Sequence, residues 1–354
     1  MFKSMKIKNF RGLSDLIIKP LKKINIFVGD NCTGKTSILD AIFISINPNN
    51  PNLIASTNFF RNIIGINREY LSSYYYNLDI DKEIIIELNN NKKNRILRIK
   101  PIVLKKGIIS DIDYNLSKVS EQKGIDFTGI ETEVTGLSIN FKIDKKDYES
   151  KIILYPDMPP RVEFDKDFVS DLNGRYLNNG TFNNSNIANI FSTIIQEKKK
   201  KQVIDFLRNF KSTIDDINLV ENNIILVDDS EFTKSIDINL YGDGLVKSLQ
   251  IFESFLVKNE DILLIDEVEN GLHFSKQKNI LEAIILLTKR NDKQTFITTH
   301  SSEMLKSLYE VAIKNNSLSL ISLFRLEKVD NKIQCINYSE EQFKNAIELN
   351  LETR

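Results

Sequence analysis

Three stretches of this chain read as short strands that end abruptly in polar groups: the apolar runs Ile24 to Val28 and Ile262 to Ile265, and Gln294 to His300 around Phe296-Ile297. Runs of this length mark strands buried on both faces, as in a parallel sheet. Elsewhere the pattern alternates. Ile84 to Leu88 and Arg95 to Leu104 flank an Asn/Lys turn and predict a hairpin. Leu137, Ile139, Phe141 and Ile143 alternate with polar residues and predict a half-buried strand. A third rhythm is helical. It covers Ser37 to Ile46, Ile187 to Ile195, and Leu245 to Val257. Val203, Phe206, Leu207, Phe210 and Ile214 repeat it after the run Lys198 to Lys201. Toward the C-terminus the pattern predicts a strand (Leu318 to Leu326), an antiparallel partner (Lys332 to Asn337) and a short helix (Glu340 to Leu349).

These elements predict a head interrupted by an insertion. Residues 1–50 and 231–354 form two halves of one domain. Residues 51–230 are the insertion, with an antiparallel β lobe at about 80–165 and a helical arm at about 186–218. Asn47-Pro48-Asn49-Asn50-Pro51-Asn52 marks the first break. No heptad pattern is sustained, so a long coiled coil is not expected.

The polar ends of the apolar runs carry the chemistry. After the first comes Gly29-Asp30-Asn31-Cys32-Thr33-Gly34-Lys35-Thr36, a full match to the P-loop pattern between a strand and a helix. Gly29 and Gly34 permit the tight turn, and the backbone through Asn31, Thr33 and Ser37 cradles phosphate. Lys35 reaches the β- and γ-phosphates, and the Thr36 hydroxyl is a magnesium ligand. The second run ends in Asp266-Glu267. Asp266 is placed to hold Mg2+ through water, and Glu267 to orient or deprotonate an attacking water. The third run ends at His300, one of two histidines; the other, His273, follows the acidic pair. Three such strands side by side would bring their C-terminal ends to one nucleotide.

With these motifs in place, the chain resembles the ABC-type ATPases of the RecF, SMC and OLD group, most of all the stand-alone OLD-related ATPases of phage-defence systems. Four segments carry the resemblance: Ile7-Lys8-Asn9-Phe10-Arg11-Gly12-Leu13, the P-loop, Asp266 to His273 as Walker B and D-loop, and Thr298-Thr299-His300-Ser301 as a histidine switch. A weaker fifth is Leu240-Tyr241-Gly242-Asp243-Gly244, which stands where a signature belongs but departs from the transporter form. It opens a helix, a setting suited to a γ-phosphate. The resemblance implies an α/β P-loop ABC-type head, a mixed sheet flanked by helices plus an antiparallel β lobe, carrying a mixed helical and β insertion. It also implies two ATP molecules sandwiched between two heads. Gly242, Asp243 and Gly244 would then act across a homodimer or higher oligomer, and His300 would sense hydrolysis. Arg11 is assigned a nucleotide or interface role.

Composition narrows the rest. With 48 basic and 48 acidic residues the net charge is zero, which argues against a basic nucleic-acid coat and leaves Lys198 to Lys201 as the nucleic-acid candidate. Cys32 and Cys335 form neither a disulfide framework nor a zinc site, consistent with a cytoplasmic protein. No apolar run is long enough to span a membrane. Asp79-Ile80-Asp81 and Asp111-Ile112-Asp113 read as surface, and no nuclease domain of its own is expected. The sequence therefore predicts an ATP- and Mg2+-dependent switch acting on a separately encoded effector, plausible in antiviral defence. The alternative is a RecF-like DNA-repair ATPase that clamps DNA.

Overall fold

The continuous runs and the alternating ones separate into different sheets. The computed structural model describes residues 1–61, 63, 68–90, 93–105, 132–155, 158–178, 184–257 and 260–348. In chain order its first elements are β1 (Ser4–Phe10), β2 (Leu13–Ile18), β3 (Ile24–Val28), α1 (Lys35–Ile46), α2 (Asn52–Phe59), α3 (Arg68–Leu71), β4 (Ile84–Asn89), β5 (Asn94–Lys105), β6 (Thr132–Ile143), β7 (Lys146–Ile153), β8 (Arg161–Glu163) and β9 (Gly174–Leu177). There follow α4 (Asn184–Gln196), α5 (Lys200–Leu207), β10 (Ile214–Val220), β11 (Ile224–Asp229), β12 (Ile236–Asp237), α6 (Asp243–Leu256) and β13 (Ile262–Ile265). The chain ends with α7 (Phe274–Arg290), β14 (Gln294–Thr298), α8 (Ser302–Lys314), β15 (Ile321–Val329), β16 (Lys332–Tyr338) and α9 (Glu340–Glu348).

The three apolar runs are β3, β13 and β14, and every residue in them is buried. They lie in a sheet of order β16-β15-β3-β14-β13-β9, parallel except for the antiparallel edge strand β16. β3, β14 and β13 are therefore neighbours with the same direction. The alternating strands form an antiparallel sheet of order β2-β1-β4-β5-β6-β7-β8. β4 shows the rule, with Ile84, Ile86 and Leu88 buried and the residues between them half-buried. A three-stranded sheet β10-β11-β12 stands apart.

Three cores follow. The first joins the antiparallel sheet to α1. The second packs α7 and α8 on the parallel sheet. The third gathers α4, α5, α6 and β10–β11, with Phe206 stacked on Phe252 at 4.1 Å, a pair worth about 1 kcal/mol beyond its buried area. The buried Arg95 of β5 ties the first core together by donating to the Ser45 and Ile46 carbonyls at the end of α1 (3.0 and 3.3 Å) and pairing with Asp171.

The structure departs from the sequence expectation in several places. Sheet membership does not follow the division at residues 50 and 231, because β1 pairs with β4 and β9 pairs with β13. The helical rhythm through Phe210 and Ile214 stops early. Asn209 donates its amide to the Asp205 and Phe206 carbonyls, ending α5, and Ile214 begins β10. Leu318 to Leu320 form a tight helical turn, and the strand starts at Ile321. Two of the four run lysines are engaged internally: Lys199 donates to the Leu256 carbonyl (2.7 Å), and Lys200 to Asp216 and Asn218 (2.9 and 2.8 Å). Asp79 and Asp81 lie in a surface turn, with Asp79 paired to Lys82 at 2.6 Å. The Asp111–Asp113 pair and Leu349 fall outside the described residues.

Candidate nucleotide site

The loop between β3 and α1 is built around two glycines. Gly29 (φ 142°) lies against the Leu326 carbonyl, where a β-carbon would approach to 2.2 Å. Gly34 (φ 85°) caps α1, and a β-carbon there would meet Leu13 at 2.7 Å. Both positions combine a left-handed backbone with no free space, so only glycine serves. Thr33 donates to the Asp30 carbonyl at 2.8 Å. The Lys35 ammonium donates to the Gly29 and Asp30 carbonyls, both at 2.8 Å. Burial holds its pKa below the ordinary lysine value, while Glu267 and Asp266 pull the other way.

Asn31 to Ser37 and Glu267 line one cavity of about 510 Å³, together with Arg11, Arg61 and the loop residues Ser73, Tyr75, Asn77 and Leu78. Opposite the loop, Asp266 Oδ1 accepts from the Thr36 hydroxyl (3.2 Å) and the Thr298 hydroxyl (2.6 Å). Burial raises its pKa, and the two threonine bonds act against that rise. Thr36 and Asp266 thus present two oxygens to one point beside the phosphate cradle. Hard oxygen donors of this kind suit Mg2+, which completes its shell with phosphate and water.

Glu267 adopts a left-handed backbone (φ 46°), a strain of about 1 kcal/mol for a non-glycine residue. Three neighbours hold it. Its N–H donates to Thr298 Oγ1 at 2.8 Å, its carbonyl accepts from Lys247 Nζ at 2.6 Å, and its carboxylate accepts from the Asn270 amide. Lys247 is fully buried, and burial lowers its pKa to about 8 despite Glu269, Asp266 and Glu267 nearby. At the end of β14, His300 is half exposed. The buried Glu269 accepts from its backbone N–H (2.7 Å) and lies 3.0 Å from its Nδ1. His273 is exposed and caps α7, its ring nitrogen accepting from the Ser275 N–H.

The structure brings Lys35, Thr36, Asp266 and Glu267 together and leaves Gly242, Asp243 and Gly244 elsewhere. That turn opens α6 and does not line the cavity. Gly242 (φ 87°) is exposed, and among the described residues nothing lies within 4 Å of where its β-carbon would be. Gly244 packs on the D-loop, where a β-carbon would meet the Gly271 carbonyl at 2.3 Å.

Residues 24–306 match the family described as "AAA domain, putative AbiEii toxin, Type IV TA system". The chain belongs to this family. The chain is 26% identical over 363 residues to an ATP/GTP phosphatase of Helicobacter pylori, covering 94% of each chain. It is 24% identical over 356 residues to the DNA replication and repair protein RecF of Streptococcus gordonii, covering 86% of this chain and 95% of the relative. An SMC head solved with the C-winged helix domain of ScpA superposes with a TM-score of 0.53 at 12% identity, covering 97% of this chain and 99% of that one. The fold is that of a P-loop ABC-type ATPase head, and the AAA domain is an ATP-hydrolysing enzyme.

Thr298, Lys247 and Glu269 carry no sequence prediction of their own. Thr298 and Glu269 lay inside quoted motifs, and each motif offered a more conspicuous neighbour. Lys247 gave no signal beyond being a lysine at an apolar stretch of α6, where a buried charge needs partners. Arg11 is found beside the cavity, its Nε 3.3 Å from the buried Asp40, which also pairs with Arg61 at 2.7 Å.

Proposed function

We propose that this AAA domain is a magnesium-dependent ATP switch. The triphosphate lies in the loop from Gly29 to Ser37, and Lys35 exchanges its two carbonyl partners for β- and γ-phosphate oxygens. Thr36 and Asp266 hold Mg2+, which when bound neutralises phosphate charge. Glu267 takes a proton from water, the water oxygen bonds to the γ-phosphorus, and the bond to the β-phosphate oxygen breaks to release ADP. His300, positioned by Glu269, senses the γ-phosphate. Two copies close around two nucleotides, each offering its Gly242–Gly244 turn to the other, and the closed form controls a separately encoded effector, in antiviral defence.

One observation carries this reading. Glu267 is held in a strained backbone on the wall of the P-loop cavity, while the exposed Gly242–Gly244 turn lies outside it. A site built from one side, in a chain whose Gly242 turn is exposed away from it, favours a sandwich of two copies. Phosphate release and solution mass, measured together for the wild type and for Glu267→Gln, test it. The wild type should turn over ATP with Mg2+, and the variant should stop turnover yet be held by ATP as a dimer or larger assembly. A wild type that neither hydrolyses ATP nor changes mass would sink the reading.

The similarity to RecF along nearly its whole length favours a second reading, a DNA clamp. Adding duplex DNA to the ATP-held Glu267→Gln form separates the two. Tight, salt-dependent retention supports the clamp, and none supports the effector switch.

A further inference from the structure

The phosphate loop accounts for only part of the nucleotide cavity. The same cavity is lined by Arg11, Arg61, Ser73, Tyr75, Asn77 and Leu78. A nucleotide held by its phosphates at the loop lays its base along this remaining wall. Most polar groups on the wall are already engaged. Arg11 and Arg61 both lie against Asp40, at 3.3 and 2.7 Å, and Arg11 also donates to Thr57 and Asn58 (2.7 and 3.1 Å). The Ser73 hydroxyl donates to the Tyr70 carbonyl at 2.6 Å. Tyr75 is 1% exposed, with its hydroxyl buried. Asn77 differs. It is exposed, and its amide has no hydrogen-bond partner among the described residues. The other amide of the cavity, Asn31, belongs to the phosphate loop itself.

The backbone holds Asn77 firmly. Tyr75 bridges to Phe10 at the end of β1, and the Arg11 N–H donates to the Tyr74 carbonyl at 2.8 Å. The Tyr74 hydroxyl donates to the Ile54 carbonyl at 3.0 Å, which ties the segment to α2. The Leu78 N–H donates to the Tyr75 carbonyl and the Asp79 N–H to the Tyr76 carbonyl, both at 3.1 Å, and Asn77 lies inside this double turn. Asn77 (φ 53°, ψ 25°) and Leu78 (φ 59°) are both left-handed, a conformation that asparagine tolerates and leucine disfavours. Leu78 is also 63% exposed. A strained turn that presents an unpaired amide beside an uncovered leucine, on the wall of a cavity, has the character of a binding position.

We propose that Asn77 selects adenine, its Oδ1 accepting from the N6 amino group and its Nδ2 donating to N7, with Leu78 against the face of the base. The proposal rests on the loop taking the phosphates, as in the reading above. A carboxamide offers one acceptor and one donor side, which match adenine N6–H and N7 together. Guanine shows two acceptors, O6 and N7, on that edge, so the amide oxygen would face another oxygen. A carboxylate would read the other edge of guanine by accepting from its N1–H and N2–H. Glu267 is the one carboxylate among the described lining residues, and it is assigned to the attacking water. Asp79, two positions beyond Asn77, is already paired with Lys82 at 2.6 Å and accepts from the Asp81 N–H at 3.2 Å.

The test is calorimetric titration of the full chain, in Mg2+, with ADP, GDP and 7-deaza-ADP, and with pyrophosphate as a probe that has no base. Diphosphates leave no γ-phosphate to hydrolyse, so binding is read without turnover. ADP should bind about ten- to a hundredfold more tightly than GDP, the discrimination of a two-bond amide–adenine pair. 7-deaza-ADP, which lacks the N7 acceptor, should bind about fivefold more weakly than ADP, the scale of one neutral hydrogen bond. Asn77→Gly removes the amide and keeps the left-handed turn. It should bring ADP and GDP to within about twofold of each other, with pyrophosphate binding as in the wild type. Equal affinity for ADP and GDP in the wild type overturns the proposal, as does an ADP preference that survives Asn77→Gly. 7-deaza-ADP binding as tightly as ADP overturns the pairing with N7. A chain that binds none of the four probes fails the nucleotide reading itself, and the proposal falls with it.

Discussion

The P-loop and the Gly242–Gly244 turn are both glycine-bearing entries to a helix, yet they are finished to different degrees. In the P-loop every special feature has a partner inside the chain. Gly29 is pressed on the Leu326 carbonyl, Lys35 is seated on two carbonyls, and Thr36 shares Asp266 with Thr298. The turn before α6 is exposed at Gly242, while Asp243 and Gly244 approach Gly271 closely. The first region is packed in advance, and the second is left largely exposed. Preparation inside the chain costs stability when disturbed, whereas an exposed surface can change with little loss of fold.

The largest effect should come from Glu267→Gln. Loss of a positioned general base lowers turnover by about 10²–10⁴-fold, read as phosphate release, with ATP still bound. Turnover near the wild-type rate would mean that another group deprotonates the water. Next is Thr298→Val, which removes the acceptor for the Glu267 N–H and a donor to Asp266. Turnover should fall roughly tenfold or more and stability by about 1–3 kcal/mol, with both read on one preparation. Gly242→Ala sharpens the contrast from the other side. Its backbone (φ 87°, ψ 164°) lies in a region that essentially only glycine adopts, so the substitution costs about 1–3 kcal/mol although nothing among the described residues crowds the site, and the melting temperature should fall by a few degrees. Hydrolysis should also drop if the turn serves a second copy, and an unaffected rate removes that role from Gly242.

The smallest effect is a slope in pH. Lys247 titrates near 8 in the folded chain and near 10.5 when unfolded. Between those values the unfolded chain holds the extra proton, so this group makes stability rise with pH across that window. The difference in unfolding free energy between wild type and Lys247→Met should show that rise. A flat difference would mean that the buried ammonium keeps its proton throughout.

The same contrast explains what could be read from residue order. The P-loop and the strands β3, β13 and β14 were legible because their chemistry is contiguous and their burial is total. The hairpin β4–β5 was legible from two apolar-rich segments flanking an Asn/Lys turn. β9 escaped notice because four residues, one of them glycine, carry no period, although they form an edge of the parallel sheet. Ile214 misled because the helical rhythm continues past the point where Asn209 ties off the last turn. Thr298 and Lys247 act on Glu267 across 31 and 20 positions of chain, and no local pattern encodes such a contact. The Gly242–Gly244 turn was found by resemblance alone, as befits a segment with few partners at home.

The seat of Lys35 on the Gly29 and Asp30 carbonyls has a kinetic meaning. If Lys35 takes phosphate oxygens as proposed, the ammonium passes from the loop carbonyls to phosphate, and nucleotide entry is an exchange of one set of oxygens for another. Arrival then needs a side-chain swing and not the ordering of a loop, and should be fast. On the same proposal, departure would be a competition in which the loop's own carbonyls reclaim the lysine.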